Sequence, residues 1–496
     1  MAIQSEGAIP PLRRPAAIKL HKKEGKVGSI RLSLSLLIAL VVGSTIGSGI
    51  FSLPQNMAAN AGAGAILIGW MITGVGMLCL ALVYQMLSNH QPQLENGIFA
   101  YANALGGRFL GFNSAWGYWI SAWVGNVSYL VILFAAMSYF FPMFGEGNNR
   151  PAIIAASVVL WCLHWMILRG VRTAARANML TTLAKILPLL LFIGVAAMAF
   201  QKQTLSTDFW GNASLGSIMN QVKGSMLVTV WVFIGIEGAN VFSARAAERA
   251  DVGRATVLGF LTTLVLLAAV SLLSLGLLSQ AELAGLKNPS MVGVLQTVVG
   301  DWGAALISIG LIVSVAGALL AWTLLGAESL FTPAKGGVMP ASMASENGQG
   351  TPSLALWVTN GCVQLFLLLT LFSSATYLAL ISLATSMILL PYLFSALYAV
   401  KSVWRREGYS GRPSLHWPDM SVAVLASLYC VWLLYAAGPK YLLLSALLYA
   451  PGSLIYLATA RGKGLSLNLF ERGLLLLVWC GALAAGWMLW TGALSL

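Results

Sequence analysis

Two glycine-rich segments interrupt long apolar stretches of this sequence and decide its fold. The first is GSTIGSGIFSLP at residues 43–54, and the second is WVFIGIEGANVFS at residues 231–243. Clustered glycines weaken a helix, and inside a membrane an unwound turn persists only beside protein or a water-filled cavity. Breaks at corresponding places in two halves of a chain indicate a transporter with inverted repeats. The alternative is that these glycines only allow close packing of helices.

The composition around these segments is that of a membrane protein. The chain has 496 residues, of which 58% are hydrophobic and 9% are charged. A soluble globular chain carries about 25% charged residues, and a disordered chain has low hydrophobicity. A soluble enzyme and a disordered chain are therefore both excluded, and the mean hydropathy of +0.82 indicates a polytopic membrane protein.

Apolar stretches long enough to cross a bilayer follow one another from Leu32 onward. A spanning helix needs about 20 apolar residues. We predict 13 spans, near residues 33–59, 62–88, 112–141, 151–169, 178–200, 223–245, 254–278, 302–331, 354–372, 376–400, 419–436, 441–460 and 473–495. The predicted units are a tail at 1–31, a first inverted repeat at 32–200, a second at 201–400, spans 11 and 12 at 401–460, and an extra span within 461–496.

Positive charge is distributed unevenly between the loops. The tail at 1–31 is polar and basic and lacks the apolar core of a secretory signal peptide. With this tail placed in the cytoplasm, 22 of the 28 Lys and Arg residues fall on the cytoplasmic side and 5 on the outer side. This is the pattern of the positive-inside rule. The net charge of +13 therefore sets topology and requires no nucleic-acid partner. The location that we expect is a plasma membrane, the inner membrane of a bacterium.

The sequence offers no metal or nucleotide chemistry. The five cysteines lie in or beside spans without a CxxC pair, and the four histidines are far apart. The chain contains neither GxxxxGK[ST] nor GxGxxG, so nothing indicates an ATP-driven pump or a dinucleotide enzyme. We therefore expect no cofactor, no metal and no enzymatic activity, and we expect gradients or exchange to drive the protein.

The two breaks suit the two ends of an α-amino acid. Freed backbone N–H groups and the positive end of a half-helix bind a carboxylate, and freed carbonyls bind an ammonium group. For the carboxylate we predict the hydroxyls of Ser44, Thr45 and Ser48 and the amides of Gly47 and Gly49. For the amine we predict the carbonyls of Ile234 and Gly235.

Two ionisable residues inside predicted spans are candidates for function. Glu237 adjoins the second break, and an intramembrane carboxyl is functional by default because hydrocarbon penalises its charge. It would sense protons or balance a cationic substrate; a structural hydrogen bond across the break is the alternative. Lys185 would act as a fixed cation in place of a bound Na⁺, or it would snorkel about 10 Å to the cytoplasmic interface.

A polar and aromatic stripe marks one face of the third span. Tyr118, Ala122, Asn126 and Tyr129 recur at helical spacing, and a buried asparagine faces protein or cavity rather than lipid. Trp231 and Trp322 lie inside spans instead of at the interfacial belts. Because aromatic faces attract cations, we predict that both line a cavity. Ordinary core or lipid packing is the alternative for each.

At these residues the chain resembles the amino acid–polyamine–organocation superfamily. The runs that carry the resemblance are GSTIGSGIF at 43–51, YWISAWVGN at 118–126, WVFIGIEGA at 231–239 and WTLL at 322–325. The similarity covers roughly residues 30–460 and falls in the basic amino acid/polyamine antiporters, most of all in the arginine/ornithine exchangers. It implies a LeuT-like fold with 5+5 inverted repeats, broken first and sixth helices, and alternating access.

The resemblance also implies roles for single residues. Ser48 and Gly49 would take the substrate carboxylate, Ile234 the amine, and Asn126 the aliphatic part and guanidinium. Trp231 would cap the substrate, Trp322 would form a middle gate, and Tyr118 and Glu237 an inner gate. Lys185 would occupy the sodium position, which makes transport Na⁺-independent. Phe394 and Phe112 replace gate tyrosines, although Tyr392 is kept, and the thirteenth span exceeds the usual twelve.

The implied activity is exchange of arginine for ornithine, with lysine as a further candidate substrate. The alternatives are exchange of a basic amino acid for its decarboxylation product, as in arginine/agmatine or lysine/cadaverine exchange, and proton-coupled uptake of a basic amino acid. A channel would need a continuous polar pore instead of two breaks. The resemblance further implies association of two copies into a homodimer.

Overall fold

The computed structural model describes residues 34–94, 97–169, 171–236, 249–373, 376–409, 416–462 and 467–494, without the side chains at 36–37, 39–40, 43–44, 171–184, 249–253, 373 and 416. Within those residues the chain forms helices, turns and loops, and no strand. The helices of the first half are α1 (Leu34–Thr45), α2 (Leu53–Ala58), α3 (Ala63–His90), α4 (Ile98–Gly106), α5 (Arg108–Met137), α6 (Arg150–Leu168), α7 (Val171–Met198), α8 (Lys202–Ser206) and α9 (Ile218–Trp231).

The second half continues the all-helical pattern. Its helices are α10 (Arg249–Ser274), α11 (Gln280–Gly285), α12 (Ser290–Val299), α13 (Asp301–Lys335), α14 (Ser353–Ser373), α15 (Tyr377–Trp404), α16 (His416–Arg461) and α17 (Leu469–Trp490). Helix is the expected outcome, because the backbone of a membrane span must satisfy its hydrogen bonds internally.

The described helices accommodate the 13 predicted spans. Nine of the described helices are long and apolar enough to cross a membrane. The 46 residues of α16 count twice, since Gly438 (φ 71°) interrupts it and a straight helix of that length would be about 69 Å long. These helices account for ten spans. The remaining three are helix α7 and the two interrupted segments, namely α1–α2 and the segment that begins with α9. The protein is therefore an all-α, multi-pass membrane protein.

Some boundaries differ from the predicted ones. The predicted loop at 89–111 contains α4, and the stretch after α10 contains α11 and α12. These helices are too short to carry a membrane-span signal, so hydropathy does not reveal them. Helix α7 begins at Val171, not near residue 178, and Pro188 lies inside the helix without ending it.

The loops meet at two ends of the helix bundle. At one end, hydrogen bonds of 2.7–3.2 Å join His90 with Gly408, Asn347 with Leu168, and Lys401 with Ala104. At the other end, hydrogen bonds of 2.7–2.9 Å join Gly64 with Phe209, Asn288 with Gln55, and Tyr139 with Asp301. We call the first the basic end, since Lys335, Lys401 and Arg405 lie there, and the second the opposite end. Alternate loops share an end, as antiparallel spans require.

The core of the bundle is α5, and the periphery includes α17. In the most apolar window of α5, 94% of the residues are buried, whereas in α17 the share is 11%. Helix α5 packs against α13 and α15, and α17 packs against α16. The buried helix α5 thus lies between α13 and α15 at the centre of the bundle.

Candidate functional site

The first predicted break is present in the structure. Helix α1 ends at Thr45, residues 46–48 are not helical, a single 3-10 turn covers Gly49–Ser52, and α2 then begins at Leu53. The hydroxyl of Thr45 donates back to the carbonyl of Val41. The turn is buried, so its backbone groups are held away from water and need partners from the protein.

Two other helices supply such partners. The ammonium group of Lys185, on α7, donates a hydrogen bond of 2.5 Å to the carbonyl of Ile46, directly after α1 ends. The hydroxyl of Tyr377, the first residue of α15, lies 3.0 Å from the hydroxyl of Ser48 in the break. Lys185 is 5% exposed, so its side chain points to the break and does not snorkel to the interface. The break therefore has the buried amino group of Lys185 beside it.

The second break follows α9. Three successive turns replace the helix, with hydrogen bonds from Phe233 N to Val230 O, from Ile234 N to Trp231 O and from Ile236 N to Phe233 O. Gly235 has φ of +106°, a conformation that residues with a side chain rarely adopt. The chain is thus interrupted beside Ile234 and Gly235, where the sequence predicted free carbonyls. Glu237 and residues up to 248 lie outside the described residues.

The two breaks touch each other closely. A Cβ atom placed on Gly49 would lie 2.6 Å from Cγ1 of Val232 and 2.8 Å from Cδ1 of Trp231. A Cβ atom on Gly125, in α5, would lie 3.1 Å from the indole of Trp231. Glycine at these positions allows the first break, the second break and α5 to meet around one space.

That space is a small cavity between the breaks, α5 and α13. Its volume is about 10 Å³, close to the space of one water molecule. It is lined by Thr45, Gly47 and Gly49 of the first break; Trp231, Val232 and Ile234 of the second; Ser121, Gly125 and Tyr129 of α5; and Trp322 of α13. These lining residues carry no charge, and Tyr129 packs on Trp231 with ring centroids 5.8 Å apart.

The predicted site residues fall into four groups, of which the last lies behind the cavity wall. Thr45, Gly47, Gly49, Trp231, Ile234 and Trp322 line the cavity. Ser48, Gly235 and Lys185 lie in or against the breaks, and Tyr118 packs on Trp322 with ring centroids 6.4 Å apart. The side chain of Ser44 lies outside the described residues, as does Glu237.

Three predicted residues lie behind the cavity wall. Asn126 is fully buried and its amide donates to the hydroxyl of Thr323 at 3.3 Å. Ala122 faces the same helix, at Gly326. Tyr392 packs on Tyr84, with ring centroids 6.1 Å apart, toward the basic end. The structure therefore does not bring these three into the cavity lining.

The predicted site omitted Ser121, Gly125, Val232 and Tyr377. Ser121 and Gly125 belong to the same helical face as Tyr118 and Tyr129, so the full i, i+3, i+4, i+7 spacing would have found them. Tyr377 contacts Ser48 from 329 residues away and has no local signal.

Two buried polar atoms near the cavity accept or donate no hydrogen bond among the described residues. They are the hydroxyl of Ser121, which lines the cavity, and Oδ1 of Asn126 one turn along α5. Buried polar groups in proteins normally find a partner, in the protein or in bound water or ligand. The cavity is therefore a polar site with unused bonding capacity, between the breaks.

The fold and the site define a class: multi-pass helical membrane proteins in which two interrupted helices enclose a small polar cavity. The family model described as "Amino acid permease" matches residues 32–458. The chain belongs to this family.

Named relatives cover nearly the whole chain. An arginine/ornithine antiporter of Pseudomonas aeruginosa is 52% identical over 94% of this chain and 99% of its own length. An L-lysine transport protein of Corynebacterium glutamicum is 42% identical over 94% of this chain and 96% of its own. An arginine/agmatine antiporter of Chlamydia pneumoniae is 42% identical over 88% of this chain and 91% of its own.

Proposed function

We propose that the protein is a Na⁺-independent antiporter that exchanges cationic amino acids, arginine for ornithine, by alternating access. The observation that carries the proposal is the cavity between the two breaks. It combines backbone groups of two interrupted helices with aromatic faces from α5, α9 and α13. The relatives named for arginine, ornithine and lysine support the choice of cationic amino acids.

The first break would bind the carboxylate of the substrate. The hydroxyls of Thr45 and Ser48 and the amides of Gly47 and Gly49 are grouped there, and Lys185 adds a positive charge next to them. The carbonyls of Ile234 and Gly235 would bind the amine. The hydroxyl of Ser121, which lines the cavity, has capacity for a guanidinium or ammonium group, and Oδ1 of Asn126 would take part only if the wall in front of it moved. Trp231 and Trp322 would close over the bound cation.

The lysine explains why no sodium ion would be needed. Its ammonium group bonds a carbonyl that the end of α1 leaves free, which is what a bound cation would do at that place. Exchange would proceed through the two halves of the chain, 32–200 and 201–400, moving as inverted repeats. Tyr118, Trp322, Glu237 and Tyr392 would contribute to the gates, and residues 401–460 and 461–496 would add the peripheral spans.

The basic end would face the cytoplasm of a bacterium whose inner membrane holds the protein. The excess of Lys and Arg at that end supports this orientation. Two copies would associate, and native mass spectrometry of the detergent-purified protein tests that part of the proposal.

Charge balance separates the proposed exchange from its nearest alternative. Arginine and ornithine are both monocations at neutral pH, so their exchange moves no net charge. Agmatine lacks the carboxylate and is a dication, so arginine/agmatine exchange, which the chlamydial relative is named for, moves charge.

Counterflow into proteoliposomes tests the proposal. Vesicles are loaded with ornithine, agmatine, cadaverine or nothing, and uptake of labelled arginine is measured with and without a valinomycin-imposed potential. We expect rapid uptake into ornithine-loaded vesicles that the potential leaves unchanged. Equal uptake into empty vesicles would contradict obligate exchange, and a preference for agmatine with a dependence on potential would replace ornithine by the decarboxylation product.

A further inference from the structure

The first break has backbone donors that the described part of the protein does not use. The last backbone bond of α1 is donated by Ile46, and the first bond of the 3-10 turn is donated by Phe51. Between them, the N–H groups of Gly47, Ser48 and Gly49 form no hydrogen bond with any described residue. Buried N–H groups nearly always find an acceptor. The unused amides therefore indicate an acceptor that comes from outside the chain.

Two hydroxyl groups of the break are already engaged. The hydroxyl of Thr45 donates to the carbonyl of Val41, so its hydrogen is used within α1. The hydroxyls of Ser48 and Tyr377 lie 3.0 Å apart and share one hydrogen bond. An acceptor that binds to the unused amides therefore gains little from Thr45, and it competes with Tyr377 for Ser48.

Tyr129 brings a further hydroxyl to the first break, from α5. A Cβ atom placed on Gly47 would lie 3.1 Å from the hydroxyl oxygen of Tyr129 and 3.9 Å from the ring carbon that bears it, so the tip of the side chain lies against Gly47. Tyr129 lines the cavity and is 6% exposed. Tyr377 is its electrostatic neighbour, but the hydroxyl of Tyr129 forms no hydrogen bond with the described residues. An unused hydroxyl donor thus lies beside the unused amides.

This set of donors fits a carboxylate. An ionised carboxylate only accepts hydrogen bonds, through two oxygens that have about four lone-pair positions. A hydroxyl that donates to it forms a short, charge-assisted bond. An ammonium group supplies donors of its own and would leave the amides and the hydroxyl hydrogen unpaired. Because the cavity has room for about one water molecule, the carboxylate reaches this position as the cavity widens.

A second unpaired hydroxyl of α5 marks the other end of the cavity. Ser121 also lines the cavity and has no partner among the described residues. It precedes Tyr129 by eight residues, or about 12 Å along the helix axis, and lies on the side of the basic end. The two hydroxyls therefore address different ends of a substrate, with Tyr129 beside the first break and Ser121 toward the cationic side chain.

We propose that Tyr129 is a specificity-determining residue that recognises the α-carboxylate of the substrate. Its hydroxyl donates to one carboxylate oxygen while the amides of Gly47 and Gly49 bind the same group. The inference rests on the proposed function and deepens it, because it assigns the choice between an amino acid and its decarboxylation product to one hydroxyl. A substrate without a carboxylate leaves these donors unpaired and gains nothing from them.

The test separates carboxylate binding from packing. Binding of labelled arginine to full-length wild type and Tyr129→Phe is measured in detergent, with arginine and agmatine as competitors, and the thermal unfolding temperature is recorded without substrate. Phenylalanine keeps the ring that packs on Trp231 and removes only the hydroxyl. We expect the dissociation constant of arginine to rise about tenfold, as for one lost bond to a charged group, and competition by agmatine to stay unchanged. The unfolding temperature without substrate should also stay unchanged, since the hydroxyl has no partner there.

Two tyrosines provide matched controls. Tyr377→Phe removes a hydroxyl that is bonded to Ser48 without substrate, so it lowers the unfolding temperature of the substrate-free protein. Tyr139→Phe removes a hydroxyl that donates to Asp301 at the opposite end, and it leaves the dissociation constant of arginine at the wild-type value.

The failures are distinguishable. If wild type and Tyr129→Phe bind arginine equally, the role of Tyr129 is overturned and the proposed function stands. An equal weakening of arginine and agmatine, or a lower unfolding temperature of substrate-free Tyr129→Phe, assigns the hydroxyl a structural role and also overturns the inference. Tighter binding of agmatine than of arginine by wild type contradicts carboxylate recognition. If wild type exchanges no cationic amino acid in proteoliposomes, the proposed function falls and takes this inference with it.

Discussion

The first break is fastened by side chains of other helices, whereas the described part of the second break is shaped by its own backbone. Lys185 from α7 and Tyr377 from α15 contact the first break at Ile46 and Ser48. The second break consists of three tight turns and a glycine with φ of +106°. In the described residues, the first break thus depends on residues distant in the sequence, and the second also requires the positive φ of its own glycine.

The contact between the breaks is where a substitution should have its largest effect. Gly49→Ala places a Cβ atom 2.6 Å from Val232 and 2.8 Å from Trp231, and overpacking costs about 1–3 kcal/mol. We expect the initial rate of arginine counterflow to fall about 10- to 100-fold. Gly194→Ala is the matched control, since a Cβ atom there meets nothing within 4 Å. Wild-type exchange by Gly49→Ala would show that the breaks separate freely at this point.

Substitution of Lys185 tests whether its hydrogen bond to Ile46 stabilises the first break. Lys185→Met leaves the buried carbonyl of Ile46 without this donor, which costs about 1–3 kcal/mol. We expect exchange to fall about tenfold or more and the thermal unfolding temperature to decrease. The control is Lys202→Met, at an exposed lysine. Wild-type exchange measured in NaCl and in choline chloride should be equal; a requirement for sodium would contradict the fixed-cation role.

The second break is tested through its glycine. Gly235→Ala forces a side chain into a positive-φ conformation, at a cost of about 1–2 kcal/mol. We expect counterflow to slow about 5- to 30-fold, without any change at the partners of the first break. Gly492→Ala introduces the same kind of strain at φ of +73°, away from the cavity, and should leave the exchange rate at its wild-type value. Equal effects of both variants would indicate general destabilisation.

The smallest effect is expected at the tyrosine. Tyr377→Phe removes the hydroxyl that lies 3.0 Å from Ser48, and one such hydrogen bond contributes about 1 kcal/mol. We expect about a fivefold loss in arginine counterflow. Tyr139→Phe makes the same chemical change at the opposite end, where the hydroxyl donates to Asp301, and should exchange normally. If both variants behave alike, Tyr377 does not support the first break.

The sequence predicted both breaks because glycine acts locally, through the backbone of its own residue. It also predicted the third span as a cavity wall, since helical spacing groups its residues. It did not determine the rotation of that helix, so Ala122 and Asn126 were placed in the cavity while Ser121 and Gly125 were omitted. The residues of such a stripe cover a wide angle around the axis of α5, and the packing of the neighbouring helices determines which of them face the cavity.

Contacts between residues that are distant in the chain could not be predicted from the sequence. Ser48 and Tyr377 are 329 positions apart, and no local pattern marks the tyrosine. For Lys185, the position inside an apolar span predicted either a fixed cation in place of a bound Na⁺ or snorkelling to the interface, and it did not identify the carbonyl of Ile46 as its partner.

The small volume of the cavity has a consequence for affinity. At about 10 Å³ the cavity has room for about one water molecule, so it must widen before an amino acid fits. Part of the interaction free energy is spent on this widening, so we expect a dissociation constant weaker than the contacts alone would give. Weak net binding shortens the residence time of the cargo. An antiporter must release one amino acid before it binds the next. A cavity that is small without substrate therefore favours rapid exchange over tight binding.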